Sequence, residues 1–330
     1  MIRVASYGLG PIGVAAARLA LQKTQLELVG AVDINPEVAG QDLGEILGDS
    51  KAAGIRVHGE AEALFADARP DAVIHCTSSF LPVVVDQFVG AARAGVNVVS
   101  STEEMLVPDL QNPELAARID QAAREGGATV LGTGVNPGFC MDFMAMVGSG
   151  VVHRVDSVRC VRVVDAGTRR LPLQRKVGAS LTPEQFAEQE KTGRFGHIGM
   201  RESVALVGRA LGFELDEIEQ TLAPVIAERE HTTPHLTVAA GAVAGIHNVG
   251  IGRCRGETLV ELDLSMYVGA PEPRDEVNLR GEPDLQLVFP GGVPGDPATA
   301  AVLVNSIPQV VAAAPGLATI LDLPPPRVVR

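Results

Sequence analysis

Apolar residues in the first 135 positions gather into short runs at 2–7, 26–33, 72–76, 97–100 and 129–132, separated by Ala-rich stretches at 13–23, 82–94 and 113–125. The runs are mostly apolar instead of alternating, as in strands covered on both faces, and the stretches between them carry helical spacing. Strands that alternate with helices in this way predict an α/β class. They imply a doubly wound parallel sheet with right-handed crossovers and a ligand crevice at the carboxyl ends of its strands.

After Asn136-Pro137-Gly138 the pattern changes. Runs at 155–164, 237–244, 258–268 and 284–289 read as strands, with helical stretches near 183–190 and at 199–211. Strand runs with few helices among them predict an α+β second domain, built on a mixed or antiparallel sheet with helices on one face. The bare face of such a sheet is the expected surface of a homodimer. An Ala- and Val-rich helix at 298–314 is expected to pack back on the first domain. The expected domains are therefore 1–138 together with 298–330, and 139–297 for substrate binding and dimerisation. Pro324-Pro325-Pro326 reads as a tail.

A chain of 330 residues with 46% hydrophobic and 20% charged residues has material for two cores, which agrees with the division just made. The net charge of −13 disfavours nucleic acid or an anionic membrane as a partner, because either would be repelled on average. Arg169, Arg170, Arg175 and Lys176 form the one basic cluster, and it reads as a solvated loop. No basic leader precedes a long apolar run, and no stretch approaches about 18 uninterrupted apolar residues, so a cytoplasmic enzyme without a membrane span is expected. Cys76, Cys140, Cys160 and Cys254 lie far apart, with no Cys-x-x-Cys pair and no clustered histidines. They suggest neither a metal site nor a disulfide framework.

Gly8-Leu9-Gly10-Pro11-Ile12-Gly13 is a G-x-G-x-x-G sequence placed after the first predicted strand and at the opening of the first predicted helix. In a Rossmann domain the first glycine allows the tight turn, the second lets backbone approach a pyrophosphate, and the third allows close helix and strand packing. The helix N-terminus offers N–H groups and partial positive charge to the phosphates. Asp33 stands about twenty residues beyond Gly13, where its carboxylate can accept hydrogen bonds from the adenosine ribose. It would repel a 2′-phosphate, and Ile34-Asn35-Pro36-Glu37 offers no cation to hold one, so NAD is favoured and NADP left possible. Thr77, Ser78 and Ser79 follow a strand at the place where the cofactor ribose passes; a helix cap explains Ser78 or Ser79 equally well.

Three constellations could supply chemistry at the crevice. Ser100-Ser101-Thr102-Glu103-Glu104-Met105 leaves a predicted strand with two adjacent carboxylates, one of which is expected to face the substrate. Burial beside a nicotinamide would raise its pKa toward neutrality and suit it to proton transfer. First-turn helix acids are the competing reading. Gly132-Thr133-Gly134-Val135-Asn136-Pro137-Gly138-Phe139 could place Asn136 and Pro137 against the nicotinamide and use Asn136 and Phe139 as pocket residues, or could serve only as an interdomain hinge. His197, between Gly196 and Ile198, and His247, after Ile246, are candidate pocket groups or else ordinary structural histidines.

These segments resemble the 2,4-diaminopentanoate dehydrogenases and native amine dehydrogenases, within the dihydrodipicolinate-reductase-like group. The resemblance rests on the glycine motif, Asp33-Ile34-Asn35-Pro36 through Asp42-Leu43-Gly44, the Glu103-Glu104 pair, Gly134 to Phe139, Gly196-His197-Ile198-Gly199, and Gly295-Asp296-Pro297-Ala298-Thr299 through Val304-Asn305. Where the family pattern reads Ser-Thr-Cys-Glu-Glu-Leu, this chain has Ser-Ser-Thr-Glu-Glu-Met and keeps both glutamates. The resemblance implies NAD(P)-dependent, reversible oxidative deamination of a small amine or diamino acid to a ketone and ammonia. Glu103 or Glu104 would then hold ammonium and carry protons. A carboxylate at the crevice fits that chemistry from first principles, because an iminium is a cation that it stabilises as it forms. The chain's two tyrosines, Tyr7 and Tyr267, are followed by no matching Lys, and this chemistry needs no such pair. The alternatives are an imine reductase of the dihydrodipicolinate type, for which the expected paired His and Lys motif is missing, and a cofactor-binding sensor without turnover.

Overall fold

The computed structural model describes residues 1–330, which divide into two compact units, Met1–Gly138 with Pro294–Arg330, and Phe139–Val293. In the first unit β1 (Ile2–Tyr7), α1 (Pro11–Ala20), β2 (Leu26–Val32), α2 (Leu43–Leu47), β3 (Val57–His58) and α3 (Ala61–Ala68) lead into β4 (Ala72–His75), α4 (Leu81–Arg93), β5 (Asn97–Ser100), α5 (Pro113–Gly126) and β6 (Thr129–Gly132). Strand residues Val73, Val98 and Val130 are buried against Val84, Phe88 and Ile119 of the covering helices. The stretch 34–71, to which the apolar pattern assigns no element, holds α2, β3 and α3. A two-residue strand and a five-residue helix are too short to show a period.

The second unit contains α6 (Phe143–Ser149), β7 (Arg154–Asp165), α7 (Leu171–Lys176), α8 (Pro183–Glu190), α9 (Met200–Leu211), β8 (Glu217–Ile226), β9 (His231–Thr232), β10 (Thr237–Val238), β11 (Val243–Cys254), β12 (Glu257–Tyr267), β13 (Arg274–Glu282) and β14 (Leu285–Pro290). Six strands form a mixed sheet in the order β14-β13-β7-β12-β11-β8, with β7 and β12 parallel and the other neighbours antiparallel. Along β12 the period is two: Val260, Leu262 and Leu264 are buried, while Glu261, Asp263 and Ser265 on the other face are not. Helices α6 and α9 cover the apolar face. Added Cβ atoms would meet Leu287 and Leu279 at Gly148 and Met200 and Val204 at Gly250. The uncovered face carries Arg159, Glu261, Asp263, His247, Val249 and Ile251.

Three expectations for this unit change. The strand expected at 237–244 is instead the short β10 and the start of β11, whose register with β12 runs from Gly245 to Cys254 and crosses Gly250 and Gly252. Strands β8 and β13 carry too many polar residues to read as apolar runs. The basic cluster is not wholly a loop. Leu171–Lys176 is a helix, held by Gln174, whose buried amide donates to the carbonyls of Arg169 (2.7 Å) and Gly167 (3.3 Å).

The chain then returns to the first unit as α10 (Gly295–Ala312) and β15 (Gly316–Ala318). The latter pairs in parallel with β6 and completes a seven-stranded parallel sheet, β15-β6-β5-β4-β1-β2-β3. No helix is long and apolar enough to cross a membrane. The proline-rich end is not a loose tail. Val329 is 3% exposed and its N–H donates to Asn305 Oδ1 on α10 (3.0 Å), while the Arg330 carbonyl accepts from Gln25 N–H (3.0 Å). Apolar burial and satisfied backbone groups hold this segment, which its composition alone hides. Val329→Asp should therefore lower unfolding stability by about 2 kcal/mol or more, read as a lower urea midpoint, because it buries a charge without a partner.

Candidate active site

The carboxyl edge of the parallel sheet gathers the loops that follow β1, β2, β4, β5 and β6. Gly8 has φ +93, and a Cβ there would stand 2.6 Å from the Cys76 carbonyl oxygen and 2.9 Å from Thr77 Cγ2. A Cβ on Gly13 would lie 2.0 Å from the Gly8 carbonyl oxygen, so the loop folds onto its own helix. At Gly10 a Cβ would meet nothing within 4 Å, which leaves backbone open on the side where a pyrophosphate would sit. Gly10 is the N-cap of α1 and Pro11 its first residue, and no side chain caps this end. Ile12 follows within the first turn.

Asp33, just beyond β2, is tied to that loop. Its Oδ2 accepts from Leu9 N–H at 2.7 Å and its Oδ1 from Asn35 N–H at 2.8 Å. The carboxylate is thus fixed beside the glycine turn, with lone pairs left for ribose hydroxyls. The open backbone at Gly10 and the anchored acid together fit an adenine dinucleotide.

Thr77, Ser78 and Ser79 form the exit of β4. Ser78 Oγ accepts from Phe80 N–H (3.3 Å), and the Ser78 carbonyl accepts from Thr102 Oγ1 (2.7 Å). Glu103 and Glu104 open a 3-10 turn, Glu103–Leu106, directly after β5. Glu104 N–H donates to the Ser79 carbonyl (3.3 Å) and Glu104 Oε2 accepts from Leu81 N–H (2.7 Å), the first amide of α4. Both acids therefore stand in the first turn of a short 3-10 helix, and Glu104 in addition caps the neighbouring helix α4. Both glutamates are half-buried. Gly132 allows this turn to approach β6, because a Cβ there would lie 2.4 Å from Met105 Cβ and O. Asn136 and Pro137, joined by a cis peptide, follow β6 at the same edge, where Thr133 N–H donates to the Ser100 carbonyl (2.8 Å).

His75, which the sequence pattern does not single out, underlies both exits. It ends β4 with 1% exposure. Nε2 lies 2.7 Å from Gln87 Oε1 and 3.1 Å from Thr77 Oγ1, and Nδ1 lies 2.9 Å from Ser100 Oγ. Tyr7 and Phe88 pack on the ring at centroid distances of 5.1 and 4.5 Å. A histidine closing an otherwise apolar strand was the only available signal. Burial pushes its pKa from 6.5 down to about 4, so the ring is neutral.

In the second unit Phe139 stacks on Phe143 (5.8 Å). His197 is half-buried by surface, yet desolvation of the ring, then Lys176 and Arg162, push its pKa down to about 3. His247 lies elsewhere. It sits on the uncovered sheet face, its Nε2 2.9 Å from Asp263 Oδ1, whereas Gly196, next to His197, packs toward Leu222 and Ile246 of the covered face. The structure does not bring the two histidines together.

This fold is that of the dinucleotide-binding dehydrogenases. The model for the N-terminus of dihydrodipicolinate reductase matches residues 2–131, and that for the 2,4-diaminopentanoate dehydrogenase C-terminal domain matches 139–330. The chain belongs to the 2,4-diaminopentanoate dehydrogenase family. It is 34% identical to the 2,4-diaminopentanoate dehydrogenase of Acetoanaerobium sticklandii, across 99% of this chain and 95% of that one. It is 27% identical to an amine dehydrogenase of Streptomyces virginiae, across 98% and 96%. The solved amine dehydrogenase of Mycobacterium smegmatis superposes with a TM-score of 0.87 at 30% identity, covering 99% of this chain and 97% of that one.

The two depressed histidines fix the sign of an acid effect. Each binds its proton in the unfolded chain below about pH 6.5 but resists it in the fold, so stability is whole above 6.5 and falls as the pH drops toward 4. His75 alone accounts for roughly 3 kcal/mol across that window. Urea unfolding between pH 7.5 and 4.5 should show this loss, and a flat profile would contradict it.

Proposed function

We propose that this chain is an NAD-dependent amine dehydrogenase that interconverts a small amine or diamino acid with the corresponding ketone and ammonia. The observation that carries the reading is the Glu103-Glu104 turn, bonded through Glu104 to the β4 exit at Ser79 and Leu81, which sets two carboxylates at the edge that holds the dinucleotide loop. When bound, the nicotinamide accepts or supplies the hydride. Asp33 and the absence of a cation in 34–37 favour NAD over NADP.

The protons follow from the carboxylates. In the amination direction one glutamate takes a proton from ammonium and frees the lone pair that attacks the ketone carbon. It returns that proton to the carbinolamine hydroxyl, water leaves, and the restored carboxylate stabilises the iminium cation. Glu104, anchored to the first amide of α4, is suited to act as a fixed negative charge. Glu103 is suited to carry the proton. Asn136, Phe139 and His197 are proposed to shape the pocket, and His247, on the uncovered sheet face, is given no part. Four free cysteines fit a reducing compartment, and we place the enzyme in the cytoplasm.

NADH oxidation should require both a ketone and ammonium. Glu103→Gln and Glu104→Gln should leave NADH affinity within twofold, while at least one lowers kcat by about 10² to 10⁴. Glutamine at 104 keeps an acceptor for the Leu81 amide, so a loss there reports charge and not capping. Near-normal turnover in both variants would remove the carboxylate mechanism, and NADH binding without turnover on any amine or ketone would favour a sensor.

A homodimer through the uncovered face of the six-stranded sheet is part of the proposal. That face mixes Arg159, Glu261 and Asp263 with Val249, Ile251 and Val288, the last 45% exposed, so a second copy turned about a two-fold axis can match both charge signs and apolar surface. Light scattering should give a dimer mass, and Ile251→Asp should shift it toward monomer; a monomeric wild type overturns this part.

A further inference from the structure

The hydrogen bonds around His75 do more than fill a core. Its ring meets α4 through Gln87, β5 through Ser100, and its own exit loop through Thr77, whose hydroxyl also donates to Gln87 Oε1 at 2.8 Å. Thr77 is the residue that Gly8 of the dinucleotide loop lies against. On the other side Ser100 Oγ accepts from Thr102 N–H at 3.0 Å and donates to Thr102 Oγ1 at 3.0 Å, and Thr102 Oγ1 in turn donates to the Ser78 carbonyl. Thr102 is the N-cap of the Glu103–Leu106 turn. One buried ring therefore connects the loop beside the glycine turn with the residue that starts the glutamate turn.

Its bonding is directional. With Gln87 presenting its carbonyl oxygen, Nε2 carries the proton and donates, while Nδ1 lies 2.9 Å from Ser100 Oγ, whose own proton goes to Thr102 Oγ1. The groups facing the ring come from four segments: Tyr7 from β1, Thr77 from the β4 exit, Gln87 and Phe88 from α4, and Ser100 from β5.

We propose that His75 is a positioning residue that locks the β4 exit, where the cofactor passes, to the turn bearing Glu103 and Glu104, so that cofactor and carboxylates keep one mutual geometry. The proposal rests on the amine dehydrogenase reading for its catalytic half only. Loosening the ring moves Thr77 against the glycine loop and Thr102 at the head of the glutamate turn together, so NADH affinity and kcat fall together. The ketone is given no contact with either loop, so its KM stays.

Two single substitutions remove one partner each without deleting the imidazole: Gln87→Leu, on the half-buried surface of α4, and Ser100→Ala. Each should raise the NADH dissociation constant about fivefold, measured by fluorescence, and lower kcat about tenfold, with KM for ketone within twofold. The double variant is the decisive measurement. If both changes act through one ring, the pair loses little more than the worse single variant. Unaltered NADH affinity and kcat in both single variants would overturn the proposal. So would losses that multiply in the double variant, or effects confined to a lower melting temperature. If the wild type binds NADH yet aminates nothing, the functional reading fails by itself, and the NADH dissociation constants of the three variants still judge the role of His75.

Discussion

Backbone must touch backbone at the carboxyl edge of the parallel sheet, and the rest of the site depends on that contact. Three close approaches make it possible. Gly8 lies on the Cys76 carbonyl, Gly13 on the Gly8 carbonyl, and Gly132 on Met105, each at a distance where a Cβ would collide. A side chain at any of them would push apart loops that carry Asp33, Thr77 or the two glutamates. The edge is crowded because parallel strands deliver every exit to one side, which is also why such sheets place ligands there.

Crowding alone would leave the loops free to slide, and polar bonds between neighbouring exits remove that freedom. Asp33 holds Leu9, Thr102 holds Ser78, and Glu104 holds Leu81. In each case a side chain from one strand exit satisfies a backbone group of the adjacent one. Those backbone groups lie beyond the strand ladders and need partners of another kind. Residues that read as chemistry in the sequence are therefore also structural ties. Glu104 shows that a residue proposed for catalysis can also be a cap, because its carboxylate holds the first amide of α4.

The fold was legible where the apolar runs were unbroken and covered on both faces, as in β1, β4, β5 and β6. It was illegible where the period was short or interrupted. Strand β11 runs through Gly245, Gly250 and Gly252, which lack the side chains that would mark it, because α9 needs the space above Gly250 and Gly252 and β12 crowds Gly245 at Met266 and Tyr267. The second unit's polar edge strand β8 and polar strand β13 carried too few apolar residues, and the end segment 324–330 was hidden by prolines although Val329 is buried. In the site, the glycine motif and Asp33 could be read because spacing encodes them. His75 could not, because its role comes from partners on β5 and α4 that the chain order keeps 25 and 12 residues away. His247 looked comparable to His197 in sequence, and only strand parity sends it to the opposite face of its sheet.

The electrostatics of this edge are consistent with a reaction that passes through a cation. Carboxylates stand at Asp33, Glu103 and Glu104, and the imidazole buried under the β4 exit is neutral because desolvation outweighs the hydrogen bonds that would favour its charge. A protonated ring at that depth would oppose an iminium forming beside the glutamate turn and would weaken the field that stabilises it. Burial of His75 thus contributes twice. It permits the bonds that tie two loops, and it keeps positive charge away from the sheet edge that carries the carboxylates.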